Sequence, residues 1–369
     1  MDAVKQHVFD QGPFARIALS VRRDLPVIAI TLFMFQICAI VLATRGISYQ
    51  PDSLILNAEL YIWALGLLGV ILLLKALLRN RPASPVGYLF QEYLGNPLFL
   101  ERIIAGLPIL AMQIALLPFF SAIKSAIPTF HVYNWDRTLI ALDRQLFFGT
   151  DPWRILQPVL GFAPVTAALA VIYVAWLVLN YVGCAWFLYA RISDVVRRQF
   201  FLCFALSWAL IGGVMASAMA SFGPAFIGPL TGNSHFIAQM SYLRSANMQI
   251  PIVSLNVQNL LLAHFNDSDT GLGSGISAMP SMHVAICMLF YLAVRAISPR
   301  HGRWFMAFLI LIWVSSVHLA YHYAVDGLVS IVAVAILWIM SGSFIRWWDN
   351  KTSSDPRQQT FLTKTVPAE

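Results

Sequence analysis

The feature that most constrains this chain is a series of long apolar runs that recurs from residue 25 to residue 344. A membrane-spanning helix needs about 20 predominantly apolar residues, and eight of these runs approach or reach that length. They are residues 25–44, 54–77, 103–123, 165–189, 200–222, 282–297, 304–321 and 327–344. Charged residues make up only 11% of the chain, whereas a soluble domain carries about a quarter. The sequence therefore predicts an all-α polytopic membrane protein.

The basic residues give these spans an orientation. Most of the 24 lysines and arginines fall on the side of the N-terminus when the spans alternate, and cytoplasmic loops are the ones enriched in such residues. We therefore expect both termini in the cytoplasm, in a bacterial inner membrane. Because the net charge of +7 follows this topology and no basic run is interleaved with aromatic residues, nucleic-acid binding is not expected.

Two polar elements lie at the ends of late spans. Residues 277–283 (SAMPSMH) place His283 behind a Pro-Ser turn at the start of the sixth span. Further on, four polar residues follow one another at spacings of three, four and four, which predicts one stripe of a single helix. These residues are Ser315, His318, His322 and Asp326. The predicted topology brings both elements to the extracytoplasmic face.

These residue types match the needs of phosphoryl transfer. A histidine attacks phosphorus when one ring nitrogen is free and a carboxylate holds the other, and Asp326 is placed to hold His322. A second imidazole, that of His283, can protonate the departing oxygen. The helix N-terminus after the Pro-Ser turn favours a phosphate group, to which Ser281 can donate a hydrogen bond.

The same residues carry a resemblance to a known family. The motif PSMH (280–283), followed by Ser315, His322 and Asp326, resembles the second and third motifs of the type 2 phosphatidic acid phosphatase superfamily, the lipid phosphate phosphatases. In that family the motifs are PSGH and SRxxxxxHxxxD. Met282 stands in the glycine position and Ser316 in the arginine position. Residues 136–152 are similar to the branch that contains the inositol-phosphorylceramide synthases.

The resemblance implies a fold and a mechanism. It implies a six-helix transmembrane core, to which the first two spans are an addition. It implies His322 as the nucleophile that forms a phosphohistidine, Asp326 as its orienting carboxylate and His283 as the acid for the leaving group. The expected substrate is a lipid phosphate or phospholipid among the membrane lipids, and neither a metal nor another cofactor is expected.

The phosphate must be bound without the family's usual cations. No KxxxxxxRP motif follows the fifth span, where the sequence is FGP (222–224). Four basic residues on the predicted outer face are candidates for this role: Lys124, Arg137, Arg144 and Arg244. Ser315 and His318 are further candidates for substrate binding, although packing or a supporting hydrogen bond is an alternative role for His318.

The chain divides into segments of different expected character. They are a cytoplasmic segment (1–24), two added spans (25–98), a catalytic membrane domain (99–345) with an amphipathic interfacial helix (134–149) and an extracytoplasmic loop (223–279), and a disordered cytoplasmic tail (346–369). Within the loop, residues 252–265 are expected to form a second interfacial helix.

Several interpretations of the function stay open at this stage. The expected enzyme is a phosphatase if water attacks the intermediate and a phosphotransferase if a lipid alcohol does, and the segment at 136–152 favours transfer slightly. A transporter or lipid-flipping protein that uses the histidines as a proton relay is the alternative. A scaffold would leave the aligned histidines unexplained. The sequence predicts no oligomeric state.

Overall fold

The computed structural model describes residues 12–47, 50–267 and 273–352, and they form an assembly of helices. Residues 1–11 and 353–369 of the two predicted terminal segments lie outside the described residues. The helices are α1 (Pro13–Thr44), α2 (Pro51–Lys75), α3 (Pro85–Leu89), α4 (Pro97–Ala126), α5 (Asp136–Leu146), α6 (Pro152–Leu160), α7 (Ala163–Tyr189), α8 (Asp194–Leu206), α9 (Pro224–Thr231), α10 (Ile237–Gln249), α11 (Val253–Asn266), α12 (Met282–Ile297), α13 (Pro299–His318) and α14 (Ala324–Thr352).

In the described part of the chain, six helices are long and apolar enough to cross a membrane. They are α1, α2, α4, α7, α14, and α8 together with the helical residues that follow it as far as Ala218. The apolar helix α12 has 16 residues and the bounds predicted for the sixth span, and α13 has 20 residues. The prediction of an all-α polytopic membrane protein is confirmed. Most of the helices extend beyond their predicted spans, and the largest extensions are at α1, which already begins at Pro13, and at α14, which ends only at Thr352.

The two N-terminal helices pack against the rest of the bundle. Helix α1 lies against α4 and α8, and α2 lies against α4 and α7. Helices α12, α13 and α14 pack on one another, with α8 against α12 and α14. The side chains between α7, α8 and α12 are mostly large and apolar, and Phe187, Phe200 and Phe290 form one group of contacting aromatic rings there. This core fixes the helices whose ends carry the histidines.

Helix α8 changes character towards its end. After Leu206 the chain continues as a π-helical segment (Ser207–Met215) and one last turn (Ala216–Ala218). The predicted fifth span was expected to run to residue 222, but the helix ends at Ala218. The remaining residues lead without regular structure to Gly223.

The predicted single helix that would carry Ser315, His318, His322 and Asp326 is wrong. Helix α13 ends at His318, and α14 begins at Ala324. Between them Ala320 adopts a left-handed conformation (φ +64°), which ends a helix, and the N–H groups of Tyr321 and His322 both donate to the Ser316 carbonyl. His322 therefore lies in a turn between two helices.

Helix α5, which was expected to be an amphipathic interfacial helix, buries its carboxylates and exposes its arginines. Asp136, Leu139 and Asp143 are buried together, whereas Arg137 and Arg144 are exposed. The carboxylates are buried because they bind backbone N–H groups of other segments. The segment predicted as an extracytoplasmic loop (223–279) contains α9, α10 and α11, and α11 confirms the helix expected at 252–265.

Candidate active site

A cavity of about 550 Å³ lies between α4, α7, the end of α8, α11 and α12. Its walls are mainly apolar, and both His283 and His322 lie on its lining together with Lys124. The loop that leads into α12 and the turn before α14 close the same region through Ala278, Pro280 and Tyr321. The two histidine elements that the sequence predicted to meet are therefore brought together.

The ring of His322 is held by its Nδ1 atom. That nitrogen lies 2.8 Å from the Ala278 carbonyl oxygen and 3.3 Å from Oδ2 of Asp326. A carbonyl and an ionised carboxylate can only accept hydrogen bonds, so Nδ1 carries the proton and donates it. The tautomer that results leaves the lone pair of Nε2 available, which is the form that a nucleophilic imidazole requires.

Asp326 lies in the first turn of α14 and is fully buried. Its Oδ2 atom also accepts a hydrogen bond of 3.0 Å from the Tyr323 N–H group, so the carboxylate fixes the turn as well as the imidazole. A carboxylate held in this way keeps the orientation of His322 constant. It also stabilises positive charge on that ring.

His283 lies in the first turn of α12 and is partly buried. Its ring stacks on Tyr173 with centroids 4.4 Å apart and lies 4.3 Å from the centroid of Trp176. The ring centroids of His283 and His322 are 6.0 Å apart. Both rings can therefore contact one group bound at this part of the cavity.

Ser281, which the sequence predicted as a hydrogen-bond donor to the phosphate, forms the N-terminal cap of α12 in the structure. It is fully buried, it precedes α12 as the N-cap, and its Oγ atom accepts from the Val284 N–H group at 3.4 Å. The cap satisfies one of the free N–H groups of the first turn. Ser281 is not part of the cavity lining, so its observed contact positions His283.

Of the four candidate cations, only Lys124 lies at the cavity. Lys124 is near the end of α4 and is partly buried, and the structure shows no ion pair for it among the described residues. Arg137, Arg144 and Arg244 are exposed and do not line the cavity. The exposed side of α5 carries the first two, and Arg244 lies on α10.

The other two candidates, Ser315 and His318, are also outside the cavity lining. His318 is buried, and its Nε2 atom lies 2.9 Å from the Thr166 hydroxyl, which corresponds to the supporting role that the sequence left open. Ser315 is fully buried near the end of α13, and its hydroxyl has no hydrogen-bond partner within the described ranges.

Sequence reasoning did not identify the two carboxylates of α5 as part of the site. Asp143 accepts hydrogen bonds of 2.8 Å from the N–H groups of both Ala324 and Val325, and so caps α14 beside His322. Burial raises the pKa of Asp143 to about 6, against the opposing effect of these two hydrogen bonds. The signal in the sequence was the spacing of seven between Asp136 and Asp143, which puts both on one face of a helix.

Asp136 joins the FGP segment to the turn before α14. Its carboxylate accepts from the N–H groups of Phe222 (2.9 Å) and Gly223 (2.8 Å) and from the Tyr323 hydroxyl (2.8 Å). Burial and the neighbouring Asp136 charge raise the pKa of the Tyr323 phenol, which therefore stays protonated and donates.

Gly223 is required where it stands. Its φ is +86°, and a Cβ atom there would lie 2.8 Å from Cβ of Ala278 and 2.9 Å from the Tyr321 carbonyl oxygen. The FGP segment thus passes between the two loops that carry the histidine contacts. It supports the site through close packing and hydrogen bonds.

Among the described residues, no group of three or more histidine, cysteine, aspartate or glutamate side chains could hold a metal ion. The residues that meet at the mainly apolar cavity include two imidazoles, one of them held by a buried carboxylate, and a lysine. Such an arrangement is suited to a substrate with one phosphorylated end and a long apolar part.

Comparison with known families agrees with this class of site. A family model described as the PAP2 superfamily matches residues 137–340, which is more than half of the 369-residue chain. The chain belongs to the PAP2 superfamily, whose members are generally phosphatases. The match begins within α5, so α1, α2 and α4, with Lys124, lie outside it. Neither the curated proteins nor the solved structures gave a significant match.

Proposed function

We propose that this protein is a membrane-embedded lipid phosphatase or phosphotransferase that works through a phosphohistidine at His322. The observation that carries the proposal is the state of the His322 ring. Its Nδ1 atom is occupied by Ala278 and Asp326, which leaves Nε2 free on the wall of a cavity that it shares with His283.

In the first half of the reaction, Nε2 of His322 attacks phosphorus and a P–N bond forms while the P–O bond to the leaving group breaks. His283 donates a proton to the departing oxygen. The ring of His322 gains positive charge as the bond forms, and Asp326 offsets it.

In the second half, water or an alcohol attacks the phosphohistidine. His283, now neutral, takes the proton of the attacking oxygen, and the P–N bond breaks with its electron pair returning to Nε2. The negative charge on the phosphoryl oxygens is met by Lys124 and by the N–H groups at the start of α12. Both histidines end in their starting states.

The acceptor in this second half decides the product. Water gives free phosphate or a phosphorylated headgroup, and a lipid alcohol such as ceramide, diacylglycerol or a polyprenol gives a new phospholipid. The segment at 136–152 supports transfer of the kind that inositol-phosphorylceramide synthases catalyse, since it resembles that branch. The positive-inside distribution supports an extracytoplasmic site, both termini in the cytoplasm and a bacterial inner membrane.

The test is a direct assay of purified protein in detergent with labelled phosphatidate, isoprenyl diphosphate and phosphatidylinositol. Free phosphate and new lipid are quantified for the wild type and for the variants His322→Ala and His283→Ala. We expect a loss of roughly 10⁴-fold for the first and about 10²- to 10⁴-fold for the second. His318→Ala is the matched control, because His318 lies four residues before His322 but outside the cavity. Turnover that both active-site variants retain would refute the mechanism.

The role of Lys124 has its own test. Lys124→Met keeps much of the side-chain length but removes the charge, and we expect kcat/KM to fall by about 10²-fold. Arg137→Gln and Arg244→Gln remove exposed charges and are expected to change kcat/KM by less than about 2-fold, since exposed charges are screened. Equal effects from all three substitutions would mean that Lys124 does not bind the phosphate.

A further inference from the structure

Helix α4 contains a proline six residues before Lys124, the lysine at the cavity. Pro118 is buried inside α4 and has no N–H group to donate to the carbonyl of Ile114, which lies one helical turn earlier. This gap in the hydrogen bonds of the helix, the Pro118 gap, is a place where a helix bends. The direction of the last turns of α4, and with it the place of Lys124, therefore depends on how the gap is held.

Asn57 of the neighbouring helix α2 holds the Pro118 gap. Its side-chain nitrogen donates to the Ile114 carbonyl at 2.6 Å, in place of the N–H group that proline lacks. Its side-chain oxygen accepts from the Tyr181 hydroxyl of α7 at 2.5 Å. Asn57 is fully buried, so water does not compete for either bond. One side chain thus joins α2, α4 and α7 at the point where α4 lacks its own hydrogen bond.

The end of α4 beyond the gap packs against the loop that holds His322. The Ser121 hydroxyl accepts from the Gly273 N–H group of this loop at 3.0 Å. Gly275 adopts a φ of +84°, and a Cβ atom there would lie 2.9 Å from the carbonyl carbon of Lys124. Ser121, Lys124 and the two glycines all line the cavity. The end of α4 is therefore part of the wall that faces the histidines.

The position of Lys124 is sensitive to the angle of α4 at the Pro118 gap. Six residues along a helix correspond to about 9 Å, at about 1.5 Å per residue. A change of about 20° in a bend, the size of a sharp kink, would move the Lys124 backbone by roughly 3 Å. A displacement of about 1 Å at a site can already cost about 10²-fold in rate. A contact that fixes this angle therefore affects turnover.

Resting on the proposed function, we infer that Asn57 is a positioning residue that places Lys124 for binding of the phosphate. Asn57 is not part of the cavity lining, so it acts through α4 and the Pro118 gap. Both α2 and α4 lie outside the family match. Helix α2 is thus required for the site of this chain, although it carries none of the reacting groups.

The experiment uses the lipid that the wild type turns over best and measures kcat/KM with and without Lys124. Asn57→Leu removes the donor to the Ile114 carbonyl, and we expect kcat/KM to fall by about 10-fold as α4 shifts. The fall should not exceed the roughly 10²-fold expected for Lys124→Met, since Asn57 acts through that lysine. In the Lys124→Met background, Asn57→Leu should therefore change kcat/KM by less than about 2-fold, as residues that act through one another are not additive.

Pro118→Ala separates positioning from stability. The N–H group of the alanine can pair with the Ile114 carbonyl inside α4, and alanine favours a helix far more than proline does. The thermal midpoint should therefore stay the same or rise. We nevertheless expect kcat/KM to fall by about 10-fold, because a straighter α4 moves Lys124. If Asn57→Leu does not fold, Pro118→Ala is compared with and without Lys124→Met instead.

Asn96→Ala is the matched control. Asn96 also binds the backbone of α4, since its side chain accepts from the Leu98 N–H group at 3.1 Å. It does so at the first turn of the helix, at the end opposite to Lys124. The variant loses a helix cap and should have a lower thermal midpoint, with kcat/KM within about 2-fold of the wild type.

Unchanged kcat/KM in folded Asn57→Leu or in Pro118→Ala would overturn the inference while leaving the proposed function intact. A loss of the same size in the Lys124→Met background would also overturn it, because the effect would then not pass through Lys124. A wild-type protein that turns over none of the lipids would overturn both.

Discussion

The two ends of the helix bundle use aspartates in different ways. At the end that carries the histidines, Asp136, Asp143 and Asp326 accept hydrogen bonds from backbone N–H groups, a phenol and an imidazole. At the opposite end of α8 and α14, buried aspartates pair with arginines instead. Those pairs are Asp24 with Arg197 (2.8 Å) and Asp349 with Arg198 (2.7 Å).

The aspartates at the two ends therefore have different structural roles. Those at the histidine end hold turns in place, and those at the opposite end join helices. Backbone-bound carboxylates fix the turns around His322 without using a cation, so the charge of Lys124 stays available at the cavity. The ion pairs tie α1, α8 and α14 together, far from the chemistry. We therefore expect substitutions at the histidine end to change turnover, and substitutions at the opposite end to change stability.

The largest expected effect comes from Asp326→Asn. The substitution keeps the shape but can turn an amide NH₂ towards Nδ1 of His322, which favours the wrong tautomer, and we expect kcat to fall by about 10³- to 10⁴-fold. Steady-state turnover of the preferred lipid measures this. The matched substitution at the other end, Asp349→Asn, should leave kcat per folded molecule within about 3-fold of the wild type, since it lies far from the reacting groups. A fall of less than about 10-fold in Asp326→Asn would contradict the assigned role, given the size of the tautomer effect.

At the opposite end, Arg198→Met is expected to lower the free energy of unfolding by about 3–5 kcal/mol, because it leaves the buried Asp349 carboxylate without its partner. Denaturant unfolding in mixed micelles measures the change. The double variant Arg198→Met/Asp349→Leu should recover most of the loss, since neither charge then remains buried. A single variant of unchanged stability would show that the pair does not tie the helices.

A smaller effect on turnover is expected from Asp143→Ala. Without the carboxylate, the N–H groups of Ala324 and Val325 lose their acceptor beside His322, at a cost of about 1 kcal/mol. We expect kcat to fall by about 10-fold, with a smaller change in KM, because the turn that holds the nucleophile loosens. Steady-state kinetics on the preferred lipid measure both constants. Arg144→Ala, one residue along the same helix, is the control and should have no such effect.

The smallest expected effect is a pH dependence that belongs to Asp143. Its pKa is raised from the ordinary 3.8 to about 6, so between about pH 4 and 6 the folded chain holds a proton that the unfolded chain has released. The contribution of Asp143 to the free energy of unfolding therefore falls as pH rises through this window. Between about pH 4 and 7 the thermal midpoint of Asp143→Asn should therefore fall less, or rise more, with increasing pH than that of the wild type. An identical slope in the variant would mean that Asp143 does not titrate there.

Patterns of hydrophobicity were enough to predict the helices, because a bilayer leaves few alternatives for long apolar runs. The start and end of α12 and the pairing of His283 with His322 followed from sequence. The break between α13 and α14 did not, since it depends on the left-handed Ala320 and on the cap that Asp143 supplies to α14 from 181 residues earlier in the chain.

The phosphate-binding residues were the least predictable part of the site. Lys124, Arg137, Arg144 and Arg244 looked equivalent in the sequence, and only packing separates Lys124 from the three exposed arginines.

The central claim is that His322 carries the phosphoryl group during turnover. The most direct measurement is to quench the enzyme in alkali during turnover of a lipid labelled in its phosphate, digest it, and locate the label by mass spectrometry. The account predicts an acid-labile, alkali-stable label on the peptide that contains His322, and no label in His322→Ala. A label on another residue, or full turnover with no labelled protein under any quench, would contradict it.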